Sequence, residues 1–149
     1  MAAASTALGA VIDRLAAYPP FAALAAGGIW TGEVPEEKPL PFVSLKDTSA
    51  ARRALQSEGR YLEPVRLWLR AWALEGDAAG AENAAWAIVT AAEAALDQKE
   101  LLLAVAGFDV VACKVATRQM GEEHSRKDDR RISLASANIE LLLAKRVKP

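Results

Sequence analysis

The sequence predicts an α+β fold of two layers, a mostly antiparallel sheet packed by a long helix and an N-terminal helix. Three observations predict it. Residues 65–73 alternate strictly, with Val65, Leu67, Leu69, Ala71 and Ala73 on one side and Arg66, Trp68, Arg70 and Trp72 on the other, the period-2 signature of a strand. Directly after them, Ala81, Ala85, Ile88, Ala92 and Ala95 recur at helical spacing, thickened by Trp86, Val89 and Leu96. Beyond that helix, residues 107–118 and 130–146 read as two further strands. Strands that run together, with helices set apart from them, make a two-layer α+β domain.

The elements follow in chain order. Residues 5–17 form a helix capped by Ser5 or Thr6, with Leu8, Val11, Ile12 and Leu15 on its apolar stripe. The tandem Pro19-Pro20 stops it. The stretch "FAALAAGG" gives a short second helical turn, ended by Gly27-Gly28, where one glycine takes the left-handed conformation. A strand spans Ile29–Thr31, and a loop punctuated by Pro35, Pro39 and Pro41 leads to another from about Phe42. Prolines donate no ladder hydrogen bond, so this loop belongs at a sheet edge or tip. The polar stretch that follows extends the strand past Leu45 and then forms an exposed loop or arm. Asp77 caps the long helix, which runs from about residue 78 to 97. Alanine dominates its stripe, so it can lie close to the sheet. The segment "QMGEEHSRKDDR" reads as a charged loop or hairpin tip.

Composition bounds the function. With 149 residues, 52% hydrophobic and 25% charged, the chain suits one folded domain over residues 1–149. A formal net charge of −1 provides no global field for nucleic acid or an anionic membrane. The apolar N-terminus lacks a basic leader, and Asp13 and Arg14 interrupt it, so no signal peptide and a cytoplasmic site of synthesis are expected. No run of 18 uninterrupted apolar residues occurs, the length a membrane-spanning helix needs.

The search for chemistry is mostly negative. The sequence has neither a phosphate-binding glycine loop nor a calcium loop. One histidine and one cysteine give no zinc ligand set. Cys113, in an alternating apolar stretch, reads as a buried small residue, and His124 as a loop residue without an orienting partner. The expectation is a chain that is not an enzyme, with no catalytic residues, no metal and no cofactor.

Interaction residues are the remaining candidates. Arg52 and Arg53 form one basic cluster, and Arg126 and Lys127 another, beside Glu122 and Glu123. Mixed charge of this kind suits salt bridges between subunits or plain solvation, whereas a phosphate track would be one-signed. The Arg66/Trp68/Arg70/Trp72 face is either covered by other elements or a contact surface, since tryptophan and arginine are enriched in interface hot spots. Base stacking on that face is a more distant reading in a near-neutral chain.

The order of features resembles the phage tail-terminator family, also called tail-completion or head–tail joining proteins. The resemblance rests on the N-terminal helix, then Leu24-Ala25-Ala26-Gly27-Gly28-Ile29-Trp30-Thr31-Gly32, Pro35 and Leu40-Pro41-Phe42-Val43. It continues through Val65-Arg66-Leu67-Trp68, the Ala78–Leu96 helix and Ile132–Leu143. The tryptophan-rich "RLWLRAWALEG" departs from the pattern, leaving a terminator and a neighbouring neck component both open. The resemblance implies a virion structural protein that forms a hexameric ring on the tail tube and stops its polymerisation. Such a ring presents a docking surface for the head, and genomic DNA passes through its lumen. Its partners would be further copies, the tail-tube protein and a head-completion or neck protein, first in the host cytoplasm and then in the virion. The alternatives are a head-completion or stopper protein and, further off, a small dimeric α+β ligand-binding module.

Overall fold

The computed structural model describes residues 3–32, 41–48, 55–57, 60–74, 84–124 and 131–145. Helix α1 spans Ala3–Ala16 and α2 Pro19–Leu24; strands β1 to β4 span Ile29–Thr31, Phe42–Asp47, Leu55–Ser57 and Arg60–Leu74. Helix α3 covers Ala84–Leu96, a 3₁₀ turn covers Glu100–Leu102, and β5 and β6 cover Phe108–His124 and Arg131–Lys145. The α+β expectation holds, with the helical stripes and the odd-numbered side of β4 meeting in the core.

Several boundaries differ from the sequence reading. Helix α1 begins at Ala3, so Ser5 and Thr6 lie inside its first turns and not at the N-cap position. The proline pair opens α2, occupying its first two positions. Those positions need no intrahelical N–H, so the residues that cannot continue one helix are well suited to start the next. Gly28 adopts φ 91°, a conformation that strains any residue with a Cβ. Its carbonyl accepts from Val43 N at 3.0 Å, joining β1 to β2. The Asp77 cap and Ala81 fall outside the described residues. From Ala84 onward the predicted stripe is buried, except Trp86, which is only partly so.

The sheet order is β1-β2-β4-β6-β5, with β3 pairing β4 near its start. The β1–β2 pair is parallel; every other pairing is antiparallel. Pro64 sits within β4 opposite Leu142. It shares the parity of Arg66, whose carbonyl accepts from Thr48 N at 2.9 Å, so its missing donor faces the side of β2 and β3. There β3 reaches only Leu62 and β2 begins at Leu67; the proline falls in the gap and costs no ladder bond.

Strand β5 runs through Gln119–His124, paired with β6 as far as His124 opposite Arg131. The predicted charged loop is therefore strand over that stretch, because cross-strand pairing with a long partner outweighs its polar composition. β5 is an edge strand, and register shifts at Val110/Ala112 and Ala116/Arg118 interrupt it. The end of α3 covers part of that edge. Gln98, at φ 57°, donates its N–H to Cys113 O at 2.9 Å, and Val115 N donates to Asp97 Oδ1 at 3.0 Å. A non-glycine residue in this conformation costs on the order of 1 kcal/mol, offset here by pairing edge groups of β5 that would otherwise be left open.

The three helices among the described residues pack on one side of the sheet. Val11, Leu15, Phe21, Leu45, Leu67, Leu69, Ile88 and Ile139 are among the buried residues of the core. Arg14 Nε donates to Ala95 O at 2.9 Å, satisfying a carbonyl in the last turn of α3, where no intrahelical donor follows.

Candidate functional site

The opposite side of the sheet carries no helix among the described residues, and the Arg66/Trp68/Arg70/Trp72 face lies on it. Arg66 is exposed and the other three are half-buried. Alternation produces this directly. With Val65, Leu67, Leu69, Ala71 and Ala73 committed to the core, the even residues between Val65 and Ala73, Arg66 among them, face the other way.

The face is ordered by its own contacts. Trp68 and Trp72 are four residues apart on one face of the strand, about 13 Å along it, with Arg70 midway between them. The Arg70 guanidinium occupies that space, 4.6 Å from the Trp68 ring centroid and 4.7 Å from that of Trp72. Phe42, opposite Trp72 in the β2–β4 register, stacks on it with centroids 4.7 Å apart and planes at 15°. The result is a ladder, Phe42–Trp72–Arg70–Trp68, across two strands. Each ring–cation contact contributes about 0.5–2 kcal/mol, depending on how dry it is. Arg66 pairs with Glu140 on β6 at 3.0 Å, the two being register partners. Their side chains are 57% and 42% exposed, so solvent screening limits the pair to under about 1 kcal/mol.

The other predicted contact residues are not gathered here. Glu122 and Glu123 lie at the far end of β5, opposite Ser133 and Ile132. Arg52, Arg53, Arg126 and Lys127 lie outside the described residues. Sequence reasoning missed Phe42 and Glu140 as members of the face. The period-2 reading of Phe42, Ser44 and Lys46 was available, but only the register shows which β4 residue each one meets.

Conventional chemistry finds little support at these positions. Cys113 is 3% exposed, and its thiol is pushed up to about 12, first by burial and then by the Asp97 and Glu100 carboxylates. The thiolate is the reactive species, so this cysteine is quiescent near neutrality. Iodoacetamide at pH 8 should leave the native protein unlabelled and modify it once unfolded; rapid native labelling would contradict the burial. The sign of the linkage is fixed by the raised value: the protonated thiol has its full native preference below the ordinary thiol pKa of 9.0, and stability is lost as pH climbs from there toward 12. Among the described residues no group of three His, Cys, Asp or Glu side chains could hold a metal ion, and no helix is long and apolar enough to cross a membrane.

Comparison with known proteins places this architecture. No curated protein sequence matches the chain, whereas 22 chains of solved structures do. One, from a structure titled "Virion of native gene transfer agent (GTA) particle", superposes with a TM-score of 0.67 at 21% identity, over 97% of this chain and 99% of that one. At that identity the match establishes a shared fold. The family described as tail completion protein gp17 matches residues 9–135, from α1 into β6 and through the aromatic–arginine ladder. The chain belongs to the tail completion protein gp17 family, and with it to the structural proteins of the virion tail and neck.

Proposed function

We propose that this protein is a tail terminator. Copies assemble into a ring, six-fold as the family resemblance implies, that caps the tail tube and stops its polymerisation. The ring then offers its other side to a head-completion or neck protein, and genomic DNA crosses the lumen without specific binding. In this reading the protein is not an enzyme, and its products are contacts.

The observation that carries the reading is the half-buried Trp72–Arg70–Trp68 run, with the fully buried Phe42 ring stacked on its Trp72 end, on a sheet face that carries no helix among the described residues. Aromatic and arginine side chains held rigid before binding lose little conformational freedom on association, which is why they anchor interfaces. Family membership supports the tail setting. A near-neutral chain also suits a lumen that DNA must traverse, because phosphate contacts would retard it.

The test is native mass spectrometry and negative-stain imaging of the purified protein, alone and mixed with assembled tail tubes. Six-fold rings, or density capping one end of the tubes, are expected. A stable dimer that ignores the tubes would refute the terminator role and favour a small binding module. Rings that bind the portal side instead would assign the protein as a stopper.

A further inference from the structure

The connection between α3 and β5 carries a second surface, on a different side of the molecule. Leu101 is 93% exposed and Leu102 57%, on the 3₁₀ turn, and Val111, 47% exposed, lies at the first β5 register shift. These are the exposed large apolar side chains among the described residues. The turn beneath them is firmly built. Leu103 and Val105 are buried, Leu102 N donates to Lys99 O at 3.0 Å, and Gln98 N ties the segment to β5. The knob is therefore a fixed apolar projection.

We propose that this leucine knob docks onto the open sheet face of a second copy of the chain, around Trp68 and Arg70, as the repeating head-to-tail junction of the ring. The inference rests on the ring reading above and specifies its contact. Charge chooses the partner. Asp97 and Glu100 stand near the knob, both close enough to Cys113 to raise its pKa, with Lys99 beside them. The β2–β4 half of the open face carries Lys46, Arg66 and Arg70, with the Glu140 carboxylate reaching it from β6. Knob against knob would bring carboxylates together, and face against face would bring guanidinium groups together. Knob against face pairs opposite signs around an apolar centre. Two different patches that meet in this way generate a closed ring when the rotation permits, whereas one patch meeting itself stops at a dimer. Continuation of the sheet across the β5 edge is blocked at Cys113–Val115, where Asp97 and Gln98 already hold the edge groups.

Complementation tests the junction. A knob variant, Leu101→Asp with Leu102→Asp, and a face variant, Trp68→Ala, are each examined by native mass spectrometry alone and as an equimolar mixture. Circular dichroism checks their folding, and Arg70→Glu serves as a second face variant should Trp68→Ala fold poorly. Each variant alone should lose the assembled species, with association roughly thirtyfold weaker or worse, the scale of a lost anchor. The mixture should recover a two-chain species, because one intact knob meets one intact face, but no ring. A knob variant that assembles like the unaltered chain overturns the inference, as does a mixture of folded variants that stays monomeric. If the unaltered chain assembles only on tail tubes, capping of tube ends is scored instead, and a knob variant that still caps overturns it. An unaltered chain that is monomeric both alone and with tubes refutes the ring reading itself, a result distinct from failure of the knob alone.

Discussion

Leu69→Ala should lower stability by about 3 kcal/mol, the middle of the range for truncating a fully buried leucine. Leu69 is 0% exposed and lies at the centre of the sheet, between Leu45 on β2 and Ala137 on β6. The helical layer above it is already packed with alanines, at Ala85, Ala92 and Ala95 among others. Alanine has no rotamer to swing into a void, so the cavity should persist and the cost should include the cavity as well as the lost transfer energy. In a domain of this size the change corresponds to a melting point lower by roughly 10 °C. Thermal denaturation followed by circular dichroism measures it. Leu101→Ala provides the control with identical chemistry; at 93% exposure it should shift stability by less than about 0.5 kcal/mol. A loss under about 1 kcal/mol at Leu69 would mean that the odd-numbered side of β4 is not the core.

The second large effect falls on assembly. Trp72 lies in the middle of the ladder, with the Phe42 ring on one side and the Arg70 guanidinium on the other. Trp72→Ala should weaken association at each subunit junction by about 2 kcal/mol, near thirtyfold, the threshold of a hot spot. The isolated subunit should lose the stack, about 0.5–1.5 kcal/mol beyond the buried ring area, and the Arg70 contact, about 0.5–2 kcal/mol. Sedimentation velocity and a thermal melt of the same samples separate the two quantities. Assembly that is unchanged while the melting point falls would reduce the ladder to a reinforcement of the sheet. Assembly weakened by more than the fall in subunit stability accounts for is the result a contact face requires.

Much of the fold was legible because its signals are local. The alternation in residues 65–73 predicted both the strand and its two faces, and burial of Val65, Leu67, Leu69, Ala71 and Ala73 agrees residue by residue. The alanine stripe predicted how α3 packs. The misreadings have two physical causes. Gln119–His124 looks like a loop in isolation and is a strand because β6 pairs with it. Pro19 and Pro20 look like a stop and also serve as a start. The first depends on a partner that local composition does not contain; the second is local, because the opening positions of a helix need no N–H.

The candidate site divides along the same line. Arg66, Trp68, Arg70 and Trp72 were identifiable from period 2 alone, since a face rich in arginine and tryptophan is unusual whatever lies opposite. Phe42 and Glu140 were not, because their membership depends on the registers Phe42↔Trp72 and Arg66↔Glu140. The leucine knob was less visible still. "KELLLAVAGF" contains three consecutive leucines, and nothing in their order shows that Leu103 turns inward while Leu101 and Leu102 remain outside.

By itself, then, the sequence determined the class of the domain, the odd/even division of β4 and the alanine surface of its main helix. These follow from propensity and periodicity, which act over a few residues. Tertiary structure alone decided that the described helices share one side of the sheet and leave Trp68, Arg70 and Trp72 half-buried on the other, with Phe42 fully buried beside them. It also decided that α3 ends by pinning the β5 edge and that two leucines project beyond it. Those outcomes depend on strand register and chain closure between residues far apart in sequence, where the energy of pairing resides in the pair and in neither partner.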